Sequence, residues 1–139
     1  MTTGRVMGID PGERRVGIAL SDPLGIIAQP HAVLDRSEGD LLGRLRGLVE
    51  EHEVTEIVVG LPVSLSGTEG AAAVAARQLA TSLEQFGLPV RLHDERFTTV
   101  EAERALLAGD VKRSARRTKR DMVAAAVMLQ SYLDSRSTR

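Results

Sequence analysis

Apolar positions fall in two runs at the start of the chain, Arg5 to Asp10 and Arg15 to Ser21, split by Pro11-Gly12-Glu13-Arg14. Two short apolar runs around a Pro-Gly turn predict a β-hairpin. Asp22-Pro23-Leu24-Gly25 is a second turn, and Ile26 to Leu34 reads as a third strand, with Pro30 placing it at a sheet edge where a missing N–H is tolerated. The spacing then changes. Leu41, Leu42, Leu45, Leu48 and Val49 recur at helical intervals up to Glu51, behind a start signal at Ser37 and Asp40. Glu56 to Gly60, centred on Ile57-Val58-Val59, predicts a strand buried on both faces. Ser66 and Glu69 form a capping-box pattern ahead of an Ala-rich helix closing at Gly87, with Pro89 beyond. Val90 to Asp94 is a fifth strand, and Thr98 with Glu101 opens a short third helix reaching Gly109. Met122, Ala125, Ala126, Leu129, Tyr132 and Leu133 mark the apolar face of a last helix, with Thr118 as its N-cap and fraying expected from Ser135.

The resulting order is three strands, helix, strand, helix, strand, helix, helix. It predicts an α/β fold: a mixed five-stranded sheet made of an antiparallel three-strand meander plus two parallel strands, with helices on both faces. Doubly wound nucleotide-binding folds begin strand-helix-strand, so the opening hairpin argues against them. No linker or repeat interrupts the 139 residues, which suit a single domain over 1–139.

Composition narrows the chemistry. The absence of cysteine removes disulfides, thiolate metal sites and cysteine nucleophiles. The chain opens with neither a leader-like segment nor an apolar run near the roughly 18 residues of a membrane span, so a cytoplasmic protein without a membrane partner is expected. The net charge of -1 favours no partner by itself, but its distribution does. Lys112, Arg113, Arg116, Arg117, Lys119 and Arg120 put a third of the 18 basic residues in one short stretch. That is a candidate grip for phosphates, or a solvated basic segment.

Carboxylates gather at the ends of predicted elements. Asp10 closes the first strand beside Pro11 and Gly12, and its local alternative is an aspartate bonded to its own turn. Asp94 and Glu95 close the fifth strand, pointing to opposite faces, and could instead pair with Arg96 at a solvent-facing turn. Asp121 lies three residues after Thr118, where capping a helix is the simplest role. Their shared placement nevertheless suits a hard cation, which needs oxygens converging from separate segments. Other chemistries lack their signatures. There is no Gly-x-x-x-x-Gly-Lys-Ser/Thr phosphate loop; Ser21, Ser64 and Ser66 lack a hydrolase-elbow context; and His31, His52 and His93 lack metal-ligand spacing. Phe86, Phe97 and Tyr132 are too few for a base-stacking platform.

Four ordered motifs carry a resemblance that spans the chain. They are Gly8-Ile9-Asp10-Pro11-Gly12-Glu13-Arg14-Arg15-Val16-Gly17-Ile18-Ala19-Leu20-Ser21-Asp22, Gly60-Leu61-Pro62 with Ser66-Gly67-Thr68, His93-Asp94-Glu95-Arg96-Phe97-Thr98-Thr99, and Asp121 before an Ala-rich helix ending Leu129-Gln130-Ser131-Tyr132-Leu133. Together they resemble the YqgF (RuvX) family. Glu13 and Phe97 depart from that pattern without touching its acids. The resemblance implies a ribonuclease-H-like fold related to Holliday junction resolvases and a nuclease that matures the 5′ end of precursor 16S ribosomal RNA. Resolution of four-way DNA junctions is the alternative. Asp10 then matches the family's first-strand carboxylate, Glu95 the acid of its Asp-Glu-Arg motif, and Asp121 the acid of the last helix.

On that resemblance Mg²⁺ or Mn²⁺ would be held by Asp10, Glu95 and Asp121 for phosphodiester hydrolysis, with the run from Lys112 to Arg120 binding the nucleic acid. Structured RNA or branched DNA is the expected partner, and a monomer or weak homodimer the expected state. Two other readings stay open: a catalytically idle RNA-binding factor in ribosome assembly, and a sugar-kinase or actin-like ATPase, for which 139 residues leave no second domain.

Overall fold

The computed structural model describes residues 4–64, 66–97 and 113–137. Strands β1 (Arg5–Pro11), β2 (Arg15–Ser21) and β3 (Ala28–Asp35) are followed by helix α1 (Leu41–Glu51), β4 (Val54–Leu61), α2 (Ala71–Leu83), β5 (Val90–Asp94) and α3 (Arg113–Ser137). The five strands lie in the order β3-β2-β1-β4-β5. β2 runs antiparallel to both β1 and β3, while β1, β4 and β5 run parallel to one another. This is the mixed sheet that the order of elements predicted, and β3, with Pro30, is at its edge.

Alternation along the strands sorts side chains between two layers. Met7, Ile9, Val16, Ile18, Ile57 and Val59 pack with Leu45 of α1 and with Ala73, Ala76, Leu79 and Leu83 of α2. On the opposite face Val6, Ala19 and Val58 pack with Ala125, Met128, Leu129 and Leu133 of α3. Asp10, two residues on from Gly8 and four from Val6, belongs to the α3 face. α3 lies close against the sheet there, because β2 carries a glycine where the helix crosses: a Cβ on Gly17 would overlap the Asp121 carbonyl.

β4 begins at Val54, two residues before the expected Glu56, and four other element starts depart from expectation for local reasons. β3 begins at Ala28, because the Asp22 carboxylate accepts from the N–H groups of Leu24, Ile26 and Ile27 at 3.3, 2.7 and 2.8 Å and draws them into a loop. Before α1, Asp35 caps a short 3₁₀ turn through Ser37, and Asp40, at φ 46°, accepts from Gly43 N–H as the true N-cap. α2 has no capping box: it begins after Gly70 without a side-chain cap. Glu69 instead pairs with Arg77 through two bonds of 2.7 and 2.6 Å. α3 starts at Arg113 rather than at Thr118, so Asp121 lies beyond its second turn and does not cap it. The cause is composition: residues 113–120 hold Arg, Ala and Lys with no Gly or Pro, and good helix formers extend the helix through the basic run. α3 also continues past Ser135 to Ser137. The short helix expected from Thr98 lies outside the described residues.

A polar cluster fastens the far end of α3. Glu56 of β4, only 16% exposed, accepts from the Tyr132 hydroxyl and from Arg136 at 2.6 Å, with Arg91 at 3.9 Å. A carboxylate inside an otherwise apolar strand is thus compensated by groups from α3 and β5.

Candidate active site

The parallel strands β1, β4 and β5 bring their carboxyl ends to one edge of the molecule. Asp10 is the next-to-last residue of β1, opposite Gly17 of β2. Glu95 is the first residue after β5, in a 3₁₀ turn that runs to Phe97. β4 lies between them. The Ile9–Val59 and Gly60–His93 pairings put Gly60 of β4 in the row between the two acids. A Cβ on Gly60 would come within 2.5 Å of Glu95 Oε1. The missing side chain is therefore the passage through which Glu95 reaches across β4, and its carboxyl hydrogen-bonds that of Asp10.

Two carboxyls in hydrogen-bond contact require a proton between them unless a cation replaces it. Burial, the bond to Asp10 and the charges of Asp10 and Asp94 push Glu95 from 4.5 up to about 9. Burial also raises Asp10, against the lowering effect of the Glu95 bond, and the Asp121 charge adds to the rise. Asp94, by contrast, turns away: it accepts from Arg96 N–H at 2.9 Å and from the Arg96 guanidinium at 2.8 and 2.5 Å. That arginine holds it below the ordinary carboxylate range. Of the adjacent acids, one makes the local turn pair and the other enters the site.

Asp121 lies on the same face, on α3, near enough for its charge to act on Asp10. Its carboxylate accepts from Arg15 Nε at 2.7 Å. Among the described residues, no three acidic or histidine side chains are grouped closely enough to hold a cation. The structure thus joins Asp10 to Glu95 directly and Asp121 to Arg15. His93 packs between β5 and α3, its Nε2 3.0 Å from Ser131 Oγ and its ring edge-on to Tyr132. His31 and His52 contact each other, with ring centroids 4.6 Å apart.

The basic run is part of α3. Arg113, Arg116 and Arg117 lie on its first two turns, Lys119 is exposed and Arg120 half-buried. Lys112 lies outside the described residues. Arg120 directly precedes Asp121, so along the helix the basic run leads straight into the acid of α3. Arg15 and Gly60 escaped the sequence reading. The signal for Gly60 was available in Gly60-Leu61-Pro62, where a glycine near the end of the strand between those of the two acids opens a path across it.

Comparison with known proteins gives a consistent family. Residues 4–135 match the model of the RuvX family, described as a Holliday junction resolvase family. A relative from Dictyoglomus thermophilum is 48% identical over 135 residues, covering 96% of this chain and 97% of its own. Another, from Geobacillus kaustophilus, is 48% identical over 136 residues, covering 95% and 99%. Both carry the name "Putative pre-16S rRNA nuclease". Among solved structures, Thermus thermophilus RuvC in complex with a Holliday junction substrate superposes with a TM-score of 0.56 at 17% identity, covering 97% of this chain and 96% of that one. At that identity the likeness is one of fold, and it is the ribonuclease-H-like fold.

Proposed function

The chain belongs to the RuvX family, and from that premise we propose that it is a metal-dependent endonuclease that hydrolyses phosphodiester bonds in the 5′ region of precursor 16S ribosomal RNA. The observation that carries the reading is the Asp10–Glu95 carboxyl pair, closed over Gly60 at the carboxyl ends of three parallel strands. Such a pair is costly to ionise without a countercharge, and an oxygen-only donor set is the kind a hard cation selects.

The carboxyl oxygens of Asp10 and Glu95 are ligands of the kind that Mg²⁺ or Mn²⁺ takes. Asp10 and Glu95 would hold it, with Asp121 as the third acid. When bound, such a cation lowers the pKa of a water and stabilises charge on the leaving oxygen. The protein's own contribution is positional. β1 and the turn after β5 fix the two half-buried carboxyls, α3 sets Asp121 against Arg15, and the basic run would approach the phosphates of the strand to be cut. Hydrolysis adds water across the phosphorus–oxygen bond, leaving a phosphate on one fragment and a hydroxyl on the other.

This reading takes residues 1–139 as one nuclease domain, working in the cytoplasm on structured RNA as a monomer or weak homodimer. No described helix is long and apolar enough to cross a membrane. The description of the family, and the fold shared with RuvC, favour a second substrate, the four-way DNA junction. Cleavage of a precursor 16S rRNA leader and a four-way junction in parallel, with Mg²⁺ or Mn²⁺, separates the two. Preferred cutting of the leader is the expected result; preferred cutting of the junction assigns the resolvase role; binding of the leader without cutting, unaffected by chelation, would assign a non-catalytic assembly factor.

A further inference from the structure

The site contains a basic partner that family resemblance did not supply. Arg15 opens β2 directly after the turn that follows Asp10, on the same sheet face as Gly17 and Ala19, which is the face of α3. Its Nε lies 2.7 Å from Asp121 Oδ2, linking residues 106 apart in sequence. The two side chains are 31% and 27% exposed, so the pair is partly open to solvent. Among the described hydrogen bonds the contact is made through Nε alone, not through the two-point fork of the firmest guanidinium–carboxylate pairs. Asp121 cannot serve a cation fully while Arg15 holds it.

Resting on the metal-dependent reading above, we propose that Arg15 is a positioning residue that holds Asp121 while no cation is bound, yields it to the cation, and turns its guanidinium to a phosphate of the nucleic acid. Two physical facts favour the exchange. A divalent cation competes with a single, partly exposed guanidinium for one carboxylate at little cost, because solvent-screened pairs of this kind contribute little. The released guanidinium matches phosphate geometry. Cation and nucleic acid then bind cooperatively, each favouring the state in which Arg15 has left Asp121.

The test measures Mn²⁺ binding without nucleic acid in wild type, Arg15→Gln, Arg15→Lys and Asp10→Asn, followed by affinity for a precursor 16S rRNA leader with Ca²⁺ and with chelator. Arg15→Gln is expected to bind Mn²⁺ roughly fivefold tighter than wild type, and to lose most of the gain in RNA affinity that Ca²⁺ gives the wild type. Arg15→Lys, which keeps the charge without the fork, should fall between them and carries the test if Arg15→Gln does not fold. Unchanged or weaker Mn²⁺ binding in both Arg15 variants would overturn the proposal, and so would a Ca²⁺-dependent gain in RNA affinity that survives Arg15→Gln, because simple removal of a positive charge tightens Mn²⁺ binding without touching that gain. Asp10→Asn separates the two levels of argument: if it binds Mn²⁺ as well as wild type does, the metal-site reading itself fails, whatever Arg15 does.

Discussion

Glu95 reaches Asp10 across an intervening strand, passing over Gly60, whose absent side chain leaves the space. Two acids from β1 and from the end of β5 are thereby joined with a glycine, not a carboxylate, at the β4 position between them.

Gly60 is therefore part of the site although it carries no functional group. Gly60→Ala puts a methyl 2.5 Å from Glu95 Oε1, closer than the two can stand. It should cut nuclease activity by roughly tenfold or more, while costing about 1–3 kcal/mol of stability, the usual range for overpacking. Turnover and thermal unfolding measured on the same preparation check this. Full activity in the variant would show that Glu95 works from elsewhere.

The proton shared by Asp10 and Glu95 gives the cation-free protein a pH signature. Glu95 is raised from 4.5 to about 9, so between those values the folded protein keeps a proton that the unfolded chain releases. Stability then falls as pH rises through that window, and is fully retained below it. Saturating Mg²⁺ replaces the proton and should flatten or reverse the trend. Melting temperatures from roughly pH 5 to 9, with chelator and with Mg²⁺, read this out. Glu95→Gln should abolish most of the slope; the same slope in the variant would place the responsible group elsewhere.

The basic start of α3 should act through phosphates. Neutralising Arg116 and Arg117 together is expected to reduce the slope of log affinity against log salt by roughly one unit per residue for the RNA leader. An unchanged slope would make that stretch a solvated helix face.

Gly17 tests the approach of α3. A Cβ there would overlap the Asp121 carbonyl, so Gly17→Ala must push the helix off β2. Loss of about 1–3 kcal/mol is expected, with weakened cation binding because Asp121 moves with the backbone. Retention of both would mean that α3 shifts as a unit at no cost.

Much of this was legible in the sequence because it is local. Alternation and turn residues gave the meander, the apolar run gave the buried β4, and the acids stood out at element ends. What was not legible depended on tertiary partners or on competition between local signals. The capping patterns at Ser37 and Asp40, and at Ser66 and Glu69, matched in spacing. Yet Ser37 N–H is served by Asp35, Asp40 caps Gly43 N–H instead, and Glu69 is taken by Arg77. Asp121 looked like a cap because Thr118 precedes it, whereas helix-forming residues carry α3 back to Arg113. The choice between Asp94 and Glu95 could not follow from strand alternation, since the strand ends at Asp94 and a 3₁₀ turn aims the next side chain. Arg15 became visible only when β2 and α3 were side by side.

The central claim is that the Asp10–Glu95 pair makes this chain a cation-dependent nuclease. The most direct measurement is single-turnover cleavage of a precursor 16S rRNA leader by wild type and Asp10→Asn in Mn²⁺, with RNA binding measured alongside. Wild-type cutting that chelator abolishes is expected, with a loss of roughly a hundredfold or more in the variant and binding little changed. Equal cutting by the variant, or cutting that survives chelation, would contradict that claim.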